Sequence, residues 1–183
     1  MTDVVDELLG EHRDIRKVLQ VVSDQLDVMR ESGDPDWELL KDTMHYLTQY
    51  PDLFHHACED LVFRRLHQRD EECREFVRDL TREHGMLREL GLAFLELCED
   101  ALEDRLVSKA RLESLGRRYL AAQHRHMRKE EETVFPRIRQ KLTVDDWDAV
   151  QSGLQRIQSS RLGGQEVREE FRRLHACISP DRD

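Results

Sequence analysis

Hydrophobic residues recur along the chain at alternating steps of three and four, which is the spacing of an amphipathic helix. In the first such stretch, the positions that share one helix face are Val5, Leu8, His12, Ile15, Leu19, Val22, Leu26 and Met29. The tetrapeptide at 32–35, Ser-Gly-Asp-Pro, ends this stretch. We expect its Gly to supply a left-handed helix cap and its Pro to open the next helix.

Three further stretches repeat the helical spacing. The second runs from about residue 36 to 68 and contains Pro51, whose missing N–H predicts a kink or a restart. The residues that share one face of the second stretch are His55, Glu59, Val62 and Leu66. Those of the third stretch are Val77, Leu80, His84, Leu87, Gly91, Phe94, Cys98 and Ala101. Those of the fourth stretch are Leu112, Leu115, Tyr119, Ala122, His126, Glu130 and Thr133. A capping sequence at Thr143 predicts a short fifth helix, followed by a linker at 159–164.

Four long helices with short connections predict an all-α fold, specifically an antiparallel up-down-up-down four-helix bundle with a short C-terminal helical extension. We expect the bundle over residues 1–147, and a helical extension with a polar tail over 148–183. No internal repeat and no low-complexity tract appears.

Charge and composition narrow the functional classes. The 183 residues include 29 Lys and Arg against 39 Asp and Glu, giving a net charge of −10, which disfavours binding to nucleic acid or to anionic membranes. No apolar run approaches the roughly 20 residues of a membrane helix, and no secretory signal is visible. The cysteines at 58, 73, 98 and 177 form no C-x-x-C motif, so we expect free thiols in a cytoplasmic protein.

Each of the four predicted faces carries one histidine, and these are His12, His55, His84 and His126. A single histidine on such a face is usually a core imidazole that a neighbour satisfies. Four imidazoles facing one another are different, because they cannot be buried together in charged form without a partner. Of the other five histidines, His56, His67, His124 and His175 lie off these faces, and we expect them to be solvated.

Two of the four histidines are followed by a carboxylate four residues later, as His55 is by Glu59 and His126 by Glu130. Residues at this spacing lie one above the other on a helix, so each pair can present nitrogen and oxygen to the same point. Six such ligands suit two borderline metal ions, with iron the natural choice and zinc or manganese the alternatives. The chain contains no Glu-x-x-His, which excludes the ferritin-type di-iron motif.

The segments 50–63 and 124–136 resemble the second and fourth helices of bacterial hemerythrin (HHE cation-binding) domains. The sequences Glu11-His12 and Glu83-His84-Gly85 are similar to the first- and third-helix histidine positions of that family. The resemblance covers about residues 3–147. It implies a non-haem di-iron centre with an oxo or hydroxo bridge. By this resemblance, His12 and His55 serve one iron, His84 and His126 serve the other, and Glu59 and Glu130 bridge both.

Two positions depart from the oxygen carriers of this family. Arg88 stands where they have a fifth histidine, which implies that both irons keep an open or water-filled position. Glu131 stands where they have the fourth-helix carboxylate, so it competes with Glu130 for that role. We prefer Glu130, because four residues bring it within about 40° of His126 and five bring Glu131 to about 140°.

The resemblance implies a protein that binds or reacts with O2, NO or peroxide, in sensing, scavenging or iron homeostasis. Two alternatives stay open at this point. One is an enzyme that disproportionates peroxide, and the other is an interaction module whose metal is structural. The sequence makes no prediction about a protein partner.

Overall fold

The computed structural model describes residues 3–31, 33–50 and 55–159, and no strand occurs among them. The helices are α1 (Val4–Arg30), α2 (Trp37–Tyr50), α3 (His56–Arg69), α4 (Arg74–Leu102), α5 (Lys109–Lys129), a π-helical turn (Glu130–Val134), α6 (Phe135–Lys141) and α7 (Val144–Ser159). The predicted all-α class is confirmed. The predicted restart falls between α2 and α3, although Pro51 itself, like residues 160–183, lies outside the described residues.

Side-chain caps define where several helices begin. The Asp3 carboxylate accepts a hydrogen bond from the first turn of α1, and the Ser108 hydroxyl accepts one from the first turn of α5. Thr143 and Asp146 form a reciprocal capping box, in which each side chain accepts from the backbone N–H of the other at 3.4 and 3.0 Å. The fifth predicted helix is therefore confirmed as α7, and it is longer than expected because it reaches Ser159.

The connection between α1 and α2 depends on Gly33, but not through a left-handed conformation. No glycine among the described residues has a positive φ, so the predicted left-handed cap is wrong. The Gly33 N–H donates to the Val28 carbonyl at 2.9 Å, which brings the chain close to that residue. A Cβ at Gly33 would lie 2.8 Å from Val28 Cγ1, so the close approach requires glycine.

The helices pack around two hydrophobic clusters. Helix α4 packs against α2, α3 and α5, α1 packs against α2 and α5, and α3 also contacts α6 and α7. Cluster A includes Ile15, Leu19, Leu26, Phe94 and Tyr119, and cluster B includes Leu8, Val62, Leu80, Phe135 and Ile138. Along α1, His12 lies between Leu8 of cluster B and Ile15 of cluster A, so a polar layer separates the two clusters.

The π-helical turn changes the register of the last predicted face. Thr133 was expected on the buried face, but Val134 is fully buried there and Thr133 is only half-buried. A π turn carries one extra residue, which moves every later position by one. Pro136 follows at the start of α6, and it has no backbone N–H to donate to the preceding turn.

The C-terminal helix α7 spans the predicted domain boundary at residue 147. Its residues Val150 and Leu154 belong to cluster B, and Gly153 packs so closely on Leu61 that a Cβ would lie 2.8 Å from its Cδ1. Within the described part of the chain, no helix is both long enough and apolar enough to cross a membrane. Cys58, Cys73 and Cys98 form no disulfide bond, as expected, and Cys177 lies outside the described residues.

Candidate metal centre

The structure brings the six predicted ligand residues into one buried layer between clusters A and B. They are His12, His55, Glu59, His84, His126 and Glu130, and none is more than 7% exposed. Helices α1, α3, α4 and α5 and the two short segments that precede α3 and α6 supply these side chains. The layer is therefore built from every predicted helical stretch.

The histidines form two groups on either side of the two carboxylates. In the first group, the Nε2 atoms of His12 and His55 are 3.0 Å apart, and their rings meet edge-on at 60°. In the second group, the rings of His84 and His126 meet at 78° with centroids 4.8 Å apart. In both groups the ring edges, which carry the nitrogen lone pairs, face the centre of the layer.

Glu59 and Glu130 each reach both groups with separate oxygens. Glu59 Oε1 lies 3.2 Å from His55 Nε2, and its Oε2 lies 3.4 Å from His84 Nε2. Glu130 Oε2 lies 3.4 Å from His12 Nε2, and its Oε1 lies 3.0 Å from His126 Nε2. This is the placement that a carboxylate needs to bridge two cations.

Several atoms at the centre of the layer have no hydrogen-bond partner among the described residues. They are both carboxylate oxygens of Glu59 and of Glu130, and Nε2 of His84 and of His126. The short distances between these atoms lack hydrogen-bond geometry, and burying such groups without partners is costly. Bound metal cations would give these atoms partners, so the residues present fit a metal site.

A second set of carboxylates lies outside the layer and contacts the opposite nitrogen, Nδ1, of each histidine. Each contact joins two different helical segments. The pairs are Glu131 with His12 at 2.8 Å, Glu11 with His55 at 2.8 Å, Glu83 with His126 at 3.1 Å, and Asp60 with His84 at a longer 3.8 Å. A carboxylate on Nδ1 fixes the tautomer that leaves Nε2 free to bind metal.

Two basic side chains form ion pairs with two of these outer carboxylates. Arg16 donates to both oxygens of Glu131 at 2.8 Å, and Lys129 forms an ion pair with Glu83. Glu131 is thus engaged by Arg16 and by His12 Nδ1 on the outer side of the ring. Of the two candidate carboxylates, Glu130 faces the centre of the layer and Glu131 does not.

The buried carboxylates favour the charged form of the histidines. Burial alone lowers the pKa of His12, but contacts with Glu130 and Glu59 more than offset burial and raise it to about 9. Burial also lowers the pKa of His84, but contacts with Glu130 and Glu59 raise it to about 9. For His55, contacts with Glu59 and Glu11 outweigh burial and raise the pKa to about 10. Burial favours protonated Glu59, but the histidines around it hold its pKa well below the usual range.

One residue of the layer was not predicted. His56 was expected to be solvated, yet it is 7% exposed and its ring stacks on that of His84 at a centroid distance of 3.9 Å. The expectation is wrong because His56 lies three residues before Glu59, and a spacing of three also places residues on one helix face. The adjacent pair His55-His56 ahead of Glu59 was the signal available in the sequence.

The other singled-out side chains lie away from the ligand atoms. Arg88 and His124 are exposed, and His67 is half-buried. Tyr119 is fully buried in cluster A, where its hydroxyl donates to the Leu47 carbonyl and accepts from the Gln123 amide at 3.0 Å. His175 lies outside the described residues.

Comparison with known proteins identifies one family. The model of the hemerythrin HHE cation-binding domain matches residues 3–138, and a second, overlapping match covers residues 77–179. No curated protein matches the chain, and no solved structure does.

Proposed function

Because the chain belongs to the hemerythrin HHE cation-binding domain family, we propose that it is a non-haem di-iron protein that binds or reacts with O2, NO or peroxide. Membership of this family implies that the chain binds cations. The number of ions, their identity and the exogenous ligand are the proposal.

The observation that carries the proposal is the sharing of Glu59 and Glu130 between two histidine groups. One ion cannot use both oxygens of both carboxylates and all the converging imidazoles at ordinary bond lengths. Two ions can, because each carboxylate offers one oxygen to each group. We assign His12 and His55 to the first ion, and His84 and His126 to the second.

The ligand chemistry supports iron. A mixture of imidazole and carboxylate without thiolate is typical of non-haem iron sites with open positions. Bound iron would supply the redox chemistry for combination with O2, NO or peroxide. The protein's own part is to exclude bulk water with clusters A and B and to orient the imidazoles through the outer carboxylates.

The packing of the helices supports the finer architecture. We infer an antiparallel four-helix bundle whose members are α1, α2 with α3, α4, and α5 with α6. The contacts of α1 with α2 and α5, and of α4 with α2, α3 and α5, are those of neighbours in such a bundle. We also propose a reducing, cytoplasmic location, since Cys58, Cys73 and Cys98 form no disulfide bond.

The first test is iron stoichiometry after anaerobic reconstitution. Wild-type protein should bind two irons per chain, measured by elemental analysis and by the optical spectrum of the oxidised form. Binding of a single ion, or of none, would contradict the proposal. Release of O2 on adding peroxide would separate an enzyme that disproportionates peroxide from a protein that only binds its ligand.

A matched pair of variants tests the shared carboxylate. Glu59→Ala should lose iron almost completely, because one substitution removes an oxygen from each ion. Glu132→Ala should retain two irons, since Glu132 is exposed. Equal iron content in the two variants would show that the site lies elsewhere.

A further inference from the structure

His56 is the one imidazole in the buried layer that the ligand assignment above leaves unused. Its ring lies nearly parallel to that of His84, at 10°, and edge-on to that of His126, at 88° with centroids 6.1 Å apart. One of its ring nitrogens lies within 4.8 Å of ligand atoms of Glu59, His84 and His126. No ligand atom in that group of four belongs to an exposed residue.

The position of His56 follows from the start of α3. His55 precedes the first residue of this helix and His56 is that residue, so consecutive imidazoles point to the two sides of Glu59. His55 meets His12 in the first group, and His56 meets His84 in the second.

Helix α4 supplies only one imidazole to the second group. One turn after His84 stands Arg88, which is exposed and whose guanidinium has no lone pair to offer a metal. The second group would therefore hold two imidazoles if helices α4 and α5 alone provided them. His56 brings a third from α3.

We propose that His56 is a fifth nitrogen ligand and binds the same ion as His84 and His126. This assignment rests on the two-ion proposal above. Coordination requires the His56 ring to turn out of its parallel stack on His84, because two imidazoles bound to one ion direct their lone pairs to a common point. The reorientation is part of the proposal.

The two ions then differ. The ion held by His84 and His126 has three imidazoles, and the ion held by His12 and His55 has two. The expectation drawn from Arg88, that both ions keep an open position, then applies to one ion only. We expect O2, NO or peroxide to bind at the ion of His12 and His55.

The test compares His56→Ala with His124→Ala, a matched removal of an exposed imidazole. Loss of an outer-sphere partner typically weakens metal binding by about 10–100-fold. His56→Ala should weaken binding of one of the two irons by more than that, measured by chelator competition. It should also change one of the two Mössbauer doublets and leave the other unchanged. A smaller loss of affinity overturns the assignment, and His124→Ala should behave as wild type.

A measurement on the wild-type protein covers the case in which His56→Ala fails to fold. With histidine rings labelled with 15N and the site loaded with Co(II), NMR should resolve five strongly shifted imidazoles. Four shifted imidazoles with two bound ions would overturn the role of His56 alone. A wild-type protein that binds fewer than two ions would instead refute the two-ion proposal on which this assignment rests.

Discussion

At the scale of single residues, Glu130 and Glu131 are neighbours in the chain with different surroundings. Glu130 is fully buried and faces Nε2 of His12 and His126, whereas Glu131 is partly exposed and contacts Nδ1 of His12. The two carboxylates therefore act on opposite sides of the same imidazole. Their substitution should have different consequences.

Glu130→Ala should abolish the binding of two irons, since it removes an oxygen from each ion. Glu131→Ala should keep two irons but weaken their binding by about 10–100-fold, because it removes the outer partner of His12. Iron content and chelator competition measure both effects. The reverse order of severity would make Glu131 the ligand.

Protons should compete with metal for the histidines. The pKa values of His12 and His84 are raised to about 9 and that of His55 to about 10, so protons held by these residues must be released when metal binds. The apparent affinity for Co(II) should rise from pH 6.5 to 9 and level off near pH 10. Affinity that does not change over this range would contradict the raised pKa values.

The convergence of the six candidate residues could be predicted because a polar residue on an apolar helix face is conspicuous in sequence. Spacing left His56 ambiguous, because it lies three residues before Glu59, on a shared face, but about 100° around the helix from His55. Its burial depends on how α3 packs against α4, where its ring meets His84. The outer carboxylates were hidden for the same reason, because they contact histidines on other helices.

At the scale of elements, the extents of the helices could be predicted from residue spacing and capping residues, but the π turn could not. Pro136 was visible in the sequence, but its missing N–H is compatible with a kink, a break or a π turn. The structure shows the π turn at 130–134 and the resulting shift from Thr133 to Val134. Packing of Phe135 and Ile138 into cluster B accompanies this shift.

Two glycines within helices test the packing of those helices. A Cβ at Gly116 would lie 2.8 Å from both Leu26 and Phe94, whereas a Cβ at Gly85 meets nothing within 4 Å. Gly116→Ala should destabilise the protein by about 1–3 kcal/mol through overpacking. Gly85→Ala should stabilise it by about 0.5–1 kcal/mol through helix propensity.

Chemical denaturation of the chelator-treated protein measures both free energies of unfolding. Because both substitutions add the same methyl group to a helix, the difference between them isolates the neighbours of Gly116. Equal shifts of the same sign would show that α1, α4 and α5 do not approach as closely at this residue as the structure indicates.

At the scale of the whole molecule, the buried layer makes stability depend on pH. The raised pKa values of His12, His55 and His84 stabilise the fold fully below their unfolded value of about 6.5, and this contribution is lost as pH rises through 9 to 10. The lowered pKa of Glu59 acts oppositely, since its contribution is present above about 4.5 and is lost as pH falls further.

The chelator-treated protein should therefore be most stable between about pH 4.5 and 6.5, and its melting temperature should fall as pH rises to 10. Thermal denaturation followed by circular dichroism measures this dependence. The metal-loaded protein should lack the alkaline decline, because the cations replace the protons. A melting temperature that rises between pH 6.5 and 10 after metal removal would refute this account.

The inner and outer residues of the layer occur in the same order in both halves of the chain. Glu11-His12 corresponds to Glu83-His84, His55 to His126, and Glu59-Asp60 to Glu130-Glu131. The first and second histidines are 43 residues apart in one half and 42 in the other. The second match of the family model begins at residue 77, as though α4 took the place of α1. A repeat was not apparent in the overall residue pattern, because chiefly these positions preserve it.

This correspondence bears on the symmetry of the site. Two identical helical hairpins, paired about a twofold axis, would form a complete site in which the two ions are equivalent. His56 has no counterpart in the second half, where the equivalent position is the buried Met127. In a fused chain one half can change without the other, and a symmetric dimer does not have that freedom. The inequality that we propose between the two ions therefore requires both halves to lie in one chain, where each half can carry a different residue at the same position.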